Sequence, residues 1–543
     1  MSYNPLKFYR QVLRRLFLLY RHVLGLMVGG LIAYVNDLPA YKRKFFRAAG
    51  SRVTALLLRP FVKRRIRNKP FEVQLRLRLE MLGPTYVKLG QIMAIREDIL
   101  PSNITDELKQ LLDQLPPVPY KQIEEIIEKS LERPASELFE SVDPNPLGTA
   151  SIGQTHRAKT LTGDDVVLKI IKPGIRETIL YDIRLLQILA NILEWIIPRY
   201  QPKTIINEFC SYTEKEIDLT FEADHAETFA ANFVDHEEVV FPKIYREFTS
   251  HDVLCMEFLD GVKPSDPRVL EMSKDDKDKI SDLGAFAIIK MLYQDGFFHA
   301  DLHAGNLFIL PGPKVGFIDL GMVGRFDHKI RMNMLYYFNA LVSGDVDGAV
   351  KYLLAMARVG KGGDPEGFKR AVADLFRRFL LQTGRGDFSL AHLILEALGL
   401  GGKYRLFFPV EMTLMIKALV TFEGVGKSLD PNLDVPELSR RHVRRIFANH
   451  YNPAQLVSEF MRGVPEMIDT LVRAPELLSS GSRALEELIN NSQRQDNPFE
   501  SLRSSLMAGA CIIGGVLGYV QDAHFALWGG LFLSSIIFYF WIK

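Results

Sequence analysis

The feature that most constrains this chain of 543 residues is the spacing of acidic and amide side chains near its centre. Asp301 and Asn306 lie five positions apart, and Asp319 follows in an Asp-Leu-Gly triplet after two short apolar runs that predict a strand hairpin. Phosphoryl transfer needs one carboxylate near the attacking oxygen and hard oxygen ligands for magnesium. The spacing therefore predicts Asp301 as the catalytic base or water-orienting residue, and Asn306 and Asp319 as metal ligands.

A transition-metal site is an alternative for the same segment. His299, Asp301 and His303 alternate along the chain, and alternating residues of an extended segment point to one side. Such a site needs further ligands, which the sequence contains at unassigned positions. The phosphoryl-transfer hypothesis makes a different demand upstream. It requires a lysine on a strand for the phosphates of ATP, and a helical carboxylate to hold that lysine.

Lys169 meets this demand because it lies in the apolar strand pattern of residues 166–171. Helices are predicted over 175–195 and 204–233, and the second carries Asp218 and Glu222 four positions apart on one face. We therefore predict that Lys169 binds phosphate and that an acid of this helix, Glu216, Asp218 or Glu222, pairs with it.

A turn of small residues precedes the lysine strand, and small side chains let backbone N–H groups approach phosphates. Its glycine spacing also resembles a Walker loop, but Gln154 stands where that loop needs lysine, and strands rather than a helix follow. After a later strand, Glu257 and Leu259 occupy the position of an adenine-binding hinge. The predicted nucleotide-binding residues are Leu147, Gly148, Thr149, Ala150, Ser151, Ile152, Gly153, Gln154, Thr155, Lys169, Glu257 and Leu259.

The remaining pattern predicts a few strands, then helix, then paired short strands, then helix again. This order is typical of a two-lobed α+β enzyme with a cleft between its lobes. The segments predicted are helices at 71–100 and 120–133, strands near 243–248 and 252–258, a long helix at 277–295, and mostly helix over 328–490.

Basic residues are concentrated at the N-terminus although the net charge is only +2. Residues 1–70 contain 16 Lys and Arg against one acid, Asp37, so the rest of the chain sums to −13. Apolar residues are interleaved with the basic ones, which favours anionic lipid over nucleic acid. The alternative is a solvated arm that packs on the acidic remainder.

Three cysteines far apart in sequence indicate neither a disulfide framework nor a metal site.

Two uncharged runs at the C-terminus, 506–520 and 525–542, predict a transmembrane hairpin. Each is short for a spanning helix, which needs about 20 apolar residues, but glycines in both permit close helix contact and a homodimer. A buried hairpin in a soluble core is the alternative. Because no convincing export signal is present, we expect the catalytic part in the cytoplasm, at the inner membrane.

Together these segments resemble the UbiB family of atypical protein-kinase-like proteins, also called aarF-domain or coenzyme-Q-associated kinases. The resemblance spans roughly residues 70–430 and is carried by four motifs. Lys88-Leu89-Gly90-Gln91 is similar to the family's Lys-x-Gly-Gln motif, and Glu216-Ile217-Asp218 to its Glu-x-Asp motif. The resemblance implies that Glu222 takes the place of the helix glutamate that pairs with the lysine, here Lys169. Residues 146–154 are similar to its alanine-rich loop, and residues 299–306 to its catalytic loop.

The resemblance implies an ATPase that uses ATP and Mg²⁺ and supports isoprenoid-quinone biosynthesis at the membrane. Lys88, Gly90, Gln91, Glu216 and Asp218 are implied to be regulatory, with Lys88 near Glu216 and Asp218 and its segment folded over the active site. Implied partners are membrane lipid, quinone precursors and quinone-biosynthesis enzymes. A protein or small-molecule kinase, and a non-catalytic nucleotide-sensing scaffold, remain open alternatives.

The expected architecture is a protein-kinase-like α+β fold with a helical N-terminal extension and a C-terminal transmembrane hairpin. Its segments are a basic membrane-proximal segment (1–70), a helical extension (71–135), an N-lobe with a helical insert (136–260), a helical C-lobe (261–490), a linker (491–504) and the hairpin (505–543).

Overall fold

The computed structural model describes residues 5–37, 66, 69–94, 96, 100–111, 116–196, 201–360, 362–382, 389–431 and 433–450. The predicted linker and hairpin, and helix predicted beyond residue 450, lie outside these ranges. Within them, no helix combines the length and apolar character needed to cross a membrane.

The helices fall into an N-terminal group, a group beside the first sheet and a large C-terminal group. They are α1 Pro5–Asp37, α2 Phe71–Leu82, α3 Pro84–Ala94, α4 Ser102–Leu108, α5 Tyr120–Leu131, α6 Ile175–Ile196, α7 Pro202–Glu216, α8 Leu219–Asn232, α9 Pro267–Leu270, α10 Lys274–Ile289, α11 His328–Val342, α12 Val346–Met356, α13 Pro365–Gln382, α14 Leu390–Tyr404, α15 Val410–Leu429 and α16 Val435–His450.

The strands form one larger sheet and three small ones. They are β1 Phe139–Val142, β2 Gly148–Thr149, β3 Gly153–Thr160, β4 Asp165–Ile171, β5 Val239–Val240, β6 Val253–Glu257, β7 Phe297–His299, β8 Leu307–Leu310, β9 Lys314–Phe317, β10 Val323–Arg325, β11 Arg358–Val359 and β12 Leu406–Phe407.

The larger sheet is antiparallel in the order β1-β3-β4-β6, with β2 paired to β3. Side chains alternate across a strand, and in β4 the residues Val166, Leu168 and Ile170 are fully buried against α5. Lys169 therefore points to the opposite face, between Thr155 on β3 and Leu254 on β6. The predicted strand pair and its turn are confirmed.

Two small sheets hold the central loops. β8 and β9 form the predicted hairpin, with β5 added parallel to β9, and β7 pairs with β10. The loop of Asp301 and Asn306 therefore runs from β7 to β8, and Asp319 lies between β9 and β10. Phe298 and Phe317 fix both sheets in a large apolar core shared with the C-terminal helices.

The predicted helix over 71–100 is instead two helices. Gly83 separates α2 from α3 with a φ of 99°, a conformation that favours glycine. Pro84, which is favoured at the start of a helix, begins α3. The two helices pack against each other and against α4.

The predicted helix over 204–233 is also two helices. Asp218 is the N-cap of α8, where its side chain accepts a hydrogen bond from the Thr220 backbone N–H. The expectation that Asp218 and Glu222 share one helical face is therefore wrong, because Asp218 has an extended backbone.

Two smaller predictions also change. Near 243–248 the chain forms only a single bridge, Ile244 to Met256, and a 3₁₀ turn, whereas the strand near 252–258 is present as β6. The helix predicted over 277–295 is α10 followed by a π-helical turn, Lys290–Asp295. Helix predominates over 328–450.

Candidate active site

An ion-pair network centred on Lys169 forms the core of the site. Its Nζ lies 2.9 and 2.8 Å from the two carboxylate oxygens of Glu222, and 2.7 Å from Asp319 Oδ1. The predicted pairing of Lys169 with Glu222 is thus present. Glu222 is buried, whereas the Asp319 side chain is 49% exposed, so the network opens towards solvent at Asp319.

The charged side chains of Lys169 and Asp319 stabilise each other's ionised forms. Burial alone would lower the pKa of the Lys169 ammonium, but Asp319 and Glu222 raise it well above its usual value. Lys169 in turn lowers the pKa of Asp319 to about 2. Burial raises the pKa of Glu222, and the adjacent Lys169 opposes this shift. Lys169 and Asp319 are therefore charged at neutral pH.

The backbone at Asp319 is constrained as well. Its φ of 56° places it in the left-handed region, which costs a non-glycine residue roughly 1–3 kcal/mol. Gly321 follows, and a Cβ there would lie 3.2 Å from Glu222 Oε2. A side chain at position 321 would therefore require Glu222 to shift by a few tenths of an ångström.

The histidines of the loop do not form a metal site. His299 is buried; its Nε2 donates to the Ile318 carbonyl at 3.2 Å, and its Nδ1 accepts the Asp301 backbone N–H at 3.2 Å. His303 Nδ1 accepts the Gly305 N–H. Burial lowers the pKa of His299, so the ring is neutral. Among the described residues no group of three or more His, Cys, Asp or Glu side chains could hold a metal ion, so the transition-metal alternative is not supported.

The arrangement of Asn306 and Asp319 does fit magnesium bound with ATP. Asn306 is buried, and its Nδ2 donates to the Asp301 carbonyl at 3.2 Å, which leaves the amide oxygen as the atom for an ion. The Asn306 carbonyl also accepts the Ile318 N–H and ties the loop to β9. Magnesium takes its other ligands from phosphate and water, so one carboxylate and one amide suffice. Their role as metal ligands stays a prediction.

Only part of the predicted nucleotide loop faces outwards. Leu147, Gly148 and Ala150 are exposed, whereas the side chains of Ser151, Ile152 and Gln154 are buried. The Leu147 N–H donates to Thr155 O and the Ala150 N–H to Gly153 O, which closes the turn. Outward-facing side chains of residues 147–150, together with the loop backbone, are the groups that could meet a nucleotide.

The side chain of Gln154 makes structural hydrogen bonds, and its predicted place among the nucleotide contacts stays a prediction. Its Oε1 accepts the Val118 N–H at 2.9 Å, and its Nε2 donates to the Val118 carbonyl at 3.3 Å. Both bonds bind the segment before α5 to the sheet. The Gln154 side chain is therefore occupied on the side away from the exposed turn.

The predicted hinge lies between the larger sheet and the β8–β9 hairpin. Glu257 ends β6, and its Oε2 accepts the Lys243 N–H at 3.1 Å. Leu259 Cδ1 lies 3.2 Å from where a Cβ on Gly316 would be, so Leu259 packs on β9. The location agrees with a hinge, and adenine binding stays a prediction.

The Lys-x-Gly-Gln helix α3 approaches the site from the N-terminal side. Lys88 forms an ion pair with Glu216 at the end of α7. Gln91 Nε2 donates to the Leu111 carbonyl at 3.4 Å. Gly90 packs closely: a Cβ there would clash with Leu111 and would lie 2.8 Å from Leu79 Cδ1. Gly90 therefore permits the close packing of α3.

Asp218 is held by partners that the sequence did not suggest. Besides capping α8, its carboxylate accepts from Thr220 Oγ1 at 2.6 Å and lies 2.8 Å from His251 Nδ1. Burial would raise the pKa of Asp218, but Thr220 and His251 lower it. A structural role as helix cap accounts for these contacts.

A cavity of about 870 Å³ lies in front of Asp301 and is hereafter the central cavity. Its walls come from α3, α4, α7, α15 and the segment after Asp319. Apolar groups and charged groups share its lining; those that matter below are Lys88, Leu111, Glu216, Asp301, Leu414 and Lys417.

Lys417 is a site residue that the sequence did not single out. Its Nζ lies 2.5 Å from Asp301 Oδ1. Burial would raise the pKa of Asp301, but Lys417 lowers it, which keeps the carboxylate ionised. One lysine in a long C-terminal helix carries no local signal, because lysines on helices are usually solvated.

Comparison with known proteins agrees with this geometry. Residues 110–353 match the ABC1 atypical kinase-like domain, and residues 381–434 match the UbiB helical domain. The chain thus has a kinase-like α+β fold.

Individual relatives support the same assignment. "Probable protein kinase UbiB" of Marinobacter nauticus is 30% identical over 416 residues, which cover 75% of this chain and 75% of that protein. An uncharacterized protein of Synechocystis sp. is 31% identical over 391 residues, covering 70% and 66%. The solved Rv3197–erythromycin complex from Mycobacterium tuberculosis has a TM-score of 0.47 and 22% identity, covering 72% and 97%, a likeness too low to support fold or function. The chain therefore belongs to the UbiB family of atypical kinase-like proteins, the family that supports ubiquinone biosynthesis.

Proposed function

We propose that this chain is a magnesium-dependent ATPase that supports isoprenoid-quinone biosynthesis at a membrane. The observation that supports it most is the network in which Lys169 bridges buried Glu222 and half-exposed Asp319. This is the charge arrangement that phosphoryl transfer requires around a triphosphate.

Each side chain has a defined task in this proposal. Lys169 binds phosphate oxygens while Glu222 holds its ammonium in place. Asn306 and Asp319 hold the cation, and Asp301 orients the attacking water or hydroxyl and accepts its proton. When bound, magnesium–ATP supplies the transferred phosphoryl group and the divalent charge.

The central cavity favours a small acceptor over an extended peptide. The Lys88–Glu216 pair and helix α3 form one wall of this partly open cavity, on one side of Asp301. A volume of about 870 Å³ suits water or a small molecule. A small-molecule kinase is therefore the second candidate, and transfer of labelled phosphate to an added acceptor distinguishes it from an ATPase.

The test uses the full-length protein in lipid vesicles with ATP and Mg²⁺. Asp319→Asn should reduce ATP hydrolysis on the order of 10³-fold, because it removes a metal ligand and a partner of Lys169. Asp278→Asn on the exposed face of α10 is the matched control and should hydrolyse ATP at the wild-type rate. Cells that carry only the Asp319→Asn variant should accumulate quinone intermediates. Hydrolysis unaffected by Asp319→Asn would refute the proposal.

We also propose that the protein works at the cytoplasmic face of the inner membrane, near lipid and quinone precursors. Helix α1 supports this: Phe17, Tyr20 and Met27 on its outer face are 67%, 62% and 60% exposed. Exposed Arg14 and Arg21 flank them. An apolar stripe bordered by arginines is typical of a helix lying on anionic lipid.

A fluorophore on a cysteine tests this contact in the full-length protein. A label at position 17 should be quenched by doxyl-labelled lipid in anionic vesicles, and one at Val234, which is 73% exposed but outside α1, should not. Equal quenching at both positions would mean that α1 has no special relation to the membrane.

A further inference from the structure

The carboxylate of Asp301 is held by a residue from outside its own loop. Lys417 Nζ lies 2.5 Å from Asp301 Oδ1, and the two residues are 116 positions apart. Residues 299–306 contain no lysine or arginine. Any cation that accompanies Asp301 must therefore come from elsewhere in the fold.

Asp301 lies among charges of both signs, because Lys417 and, more weakly, Lys88 attract its carboxylate. Asp319 is close enough to repel it electrostatically, and the proposed triphosphate would add further negative charge. Lys169 is engaged by Glu222 and Asp319 on the other side of the site. The ammonium of Lys417 offsets this repulsion and fixes the direction of the Asp301 carboxylate towards the central cavity.

Lys417 projects from a well-packed part of helix α15. Its neighbours Ile416 and Ala418 are 1% and 3% exposed, and α15 packs against β10 and against the turn that contains Asn306. The side chains of this ion pair are 39% and 41% exposed, so solvent screens the pair and it adds little to folding stability. A pair that adds little to stability, on a rigid helix and directed at the reactive carboxylate, has the properties of a positioning device.

We propose that Lys417 positions Asp301, so that the helical domain completes the catalytic site of the kinase-like domain. Lys417 lies within residues 381–434 matched by the helical domain, and Asp301 within 110–353 matched by the kinase-like domain. The inference rests on the proposed function, because it assigns Lys417 to ATP turnover at the same site.

The test compares Lys417→Met with Lys417→Arg and with Lys427→Met. Lys427 lies on the same helix, is 44% exposed and pairs with Glu423 instead. Lys417→Met should lower kcat for ATP hydrolysis roughly 10²-fold with KM changed less than about threefold. Lys417→Arg should recover much of kcat because it keeps the charge, and Lys427→Met should match wild type. Wild-type kcat in Lys417→Met would overturn the proposal.

A double-mutant cycle shows whether Lys417 acts through Asp301. In an Asp301→Asn background, Lys417→Met should change the residual single-turnover rate less than about twofold. Full and additive losses would mean that Lys417 acts independently of Asp301, which contradicts the proposal.

A readout without hydrolysis separates this inference from the proposed function. Asp301→Asn should increase chemical labelling of the Lys417 amine several-fold by mass spectrometry, with Lys427 labelling unchanged, because only Lys417 loses its partner. A wild-type protein that hydrolyses no ATP would refute the ATPase alone. If Asp301→Asn left the labelling of Lys417 unchanged, the positioning role would be refuted whether or not the wild-type protein hydrolyses ATP.

Discussion

The two sides of Asp301 are built in different ways. On the side proposed to bind nucleotide, hereafter the nucleotide side, Lys169, Glu222 and Asp319 form a tight network of ion pairs within the kinase-like region. On the side proposed for the acceptor, hereafter the acceptor side, the Lys88–Glu216 pair borders a cavity of about 870 Å³ whose walls include the helical extension and α15. The first side is a network of charges, and the second is a cavity with a mixed apolar and charged lining.

This difference indicates where the family-specific segments act. The ion pairs on the nucleotide side follow from motifs shared with phosphoryl-transfer enzymes. Helices α3 and α15, by contrast, bring Lys88 and Lys417 to the acceptor side from opposite ends of the described chain. The walls of the central cavity thus combine residues of the kinase-like region with residues from these two flanking helices.

The largest expected contrast is between the two glutamates. Glu222→Gln should lower ATP hydrolysis on the order of 10²-fold, because Lys169 loses its buried partner. Glu216→Gln should keep the rate within about threefold, since its pair with Lys88 is partly exposed, with Glu216 30% exposed. Steady-state phosphate release measures both. Equal losses of hydrolysis rate in the two variants would mean that both glutamates contribute to the same catalytic step.

A smaller contrast concerns two glycines. Gly90→Val should reduce the free energy of unfolding by about 2–3 kcal/mol, because its Cβ would clash with Leu111 and press on Leu79. Gly148→Val should stay within about 0.5 kcal/mol, since a Cβ there lies 3.4 Å from Thr155 Oγ1, an ordinary contact. Urea unfolding of both variants is the measurement. A stable Gly90→Val variant would show that α3 can move away from the cavity at little cost.

The sequence predicted the nucleotide side better than the acceptor side, for a physical reason. Lys169 lies in a strand, where alternation fixes the direction of a side chain locally, and Asp319 follows the β8–β9 hairpin by two residues, so its position is also fixed locally. Asp218 was misassigned because capping depends on where a helix begins, a boundary that periodicity does not define. Lys417 was missed because its contact with Asp301 exists only once distant helices pack.

The smallest expected effect concerns Gln154. This residue lies in the predicted nucleotide loop, but its side chain hydrogen-bonds to Val118 outside the loop. Gln154→Leu should reduce stability by about 1 kcal/mol, because both of its hydrogen bonds to Val118 are lost. The KM for ATP should change less than about twofold, since the exposed part of the loop ends before this residue. Gln122→Leu, on the exposed face of α5, is the control and should alter neither quantity. A large rise in KM for Gln154→Leu would place its side chain among the nucleotide contacts. The nucleotide side would then extend into the segment before α5, and the boundary drawn between the two sides of Asp301 would have to move.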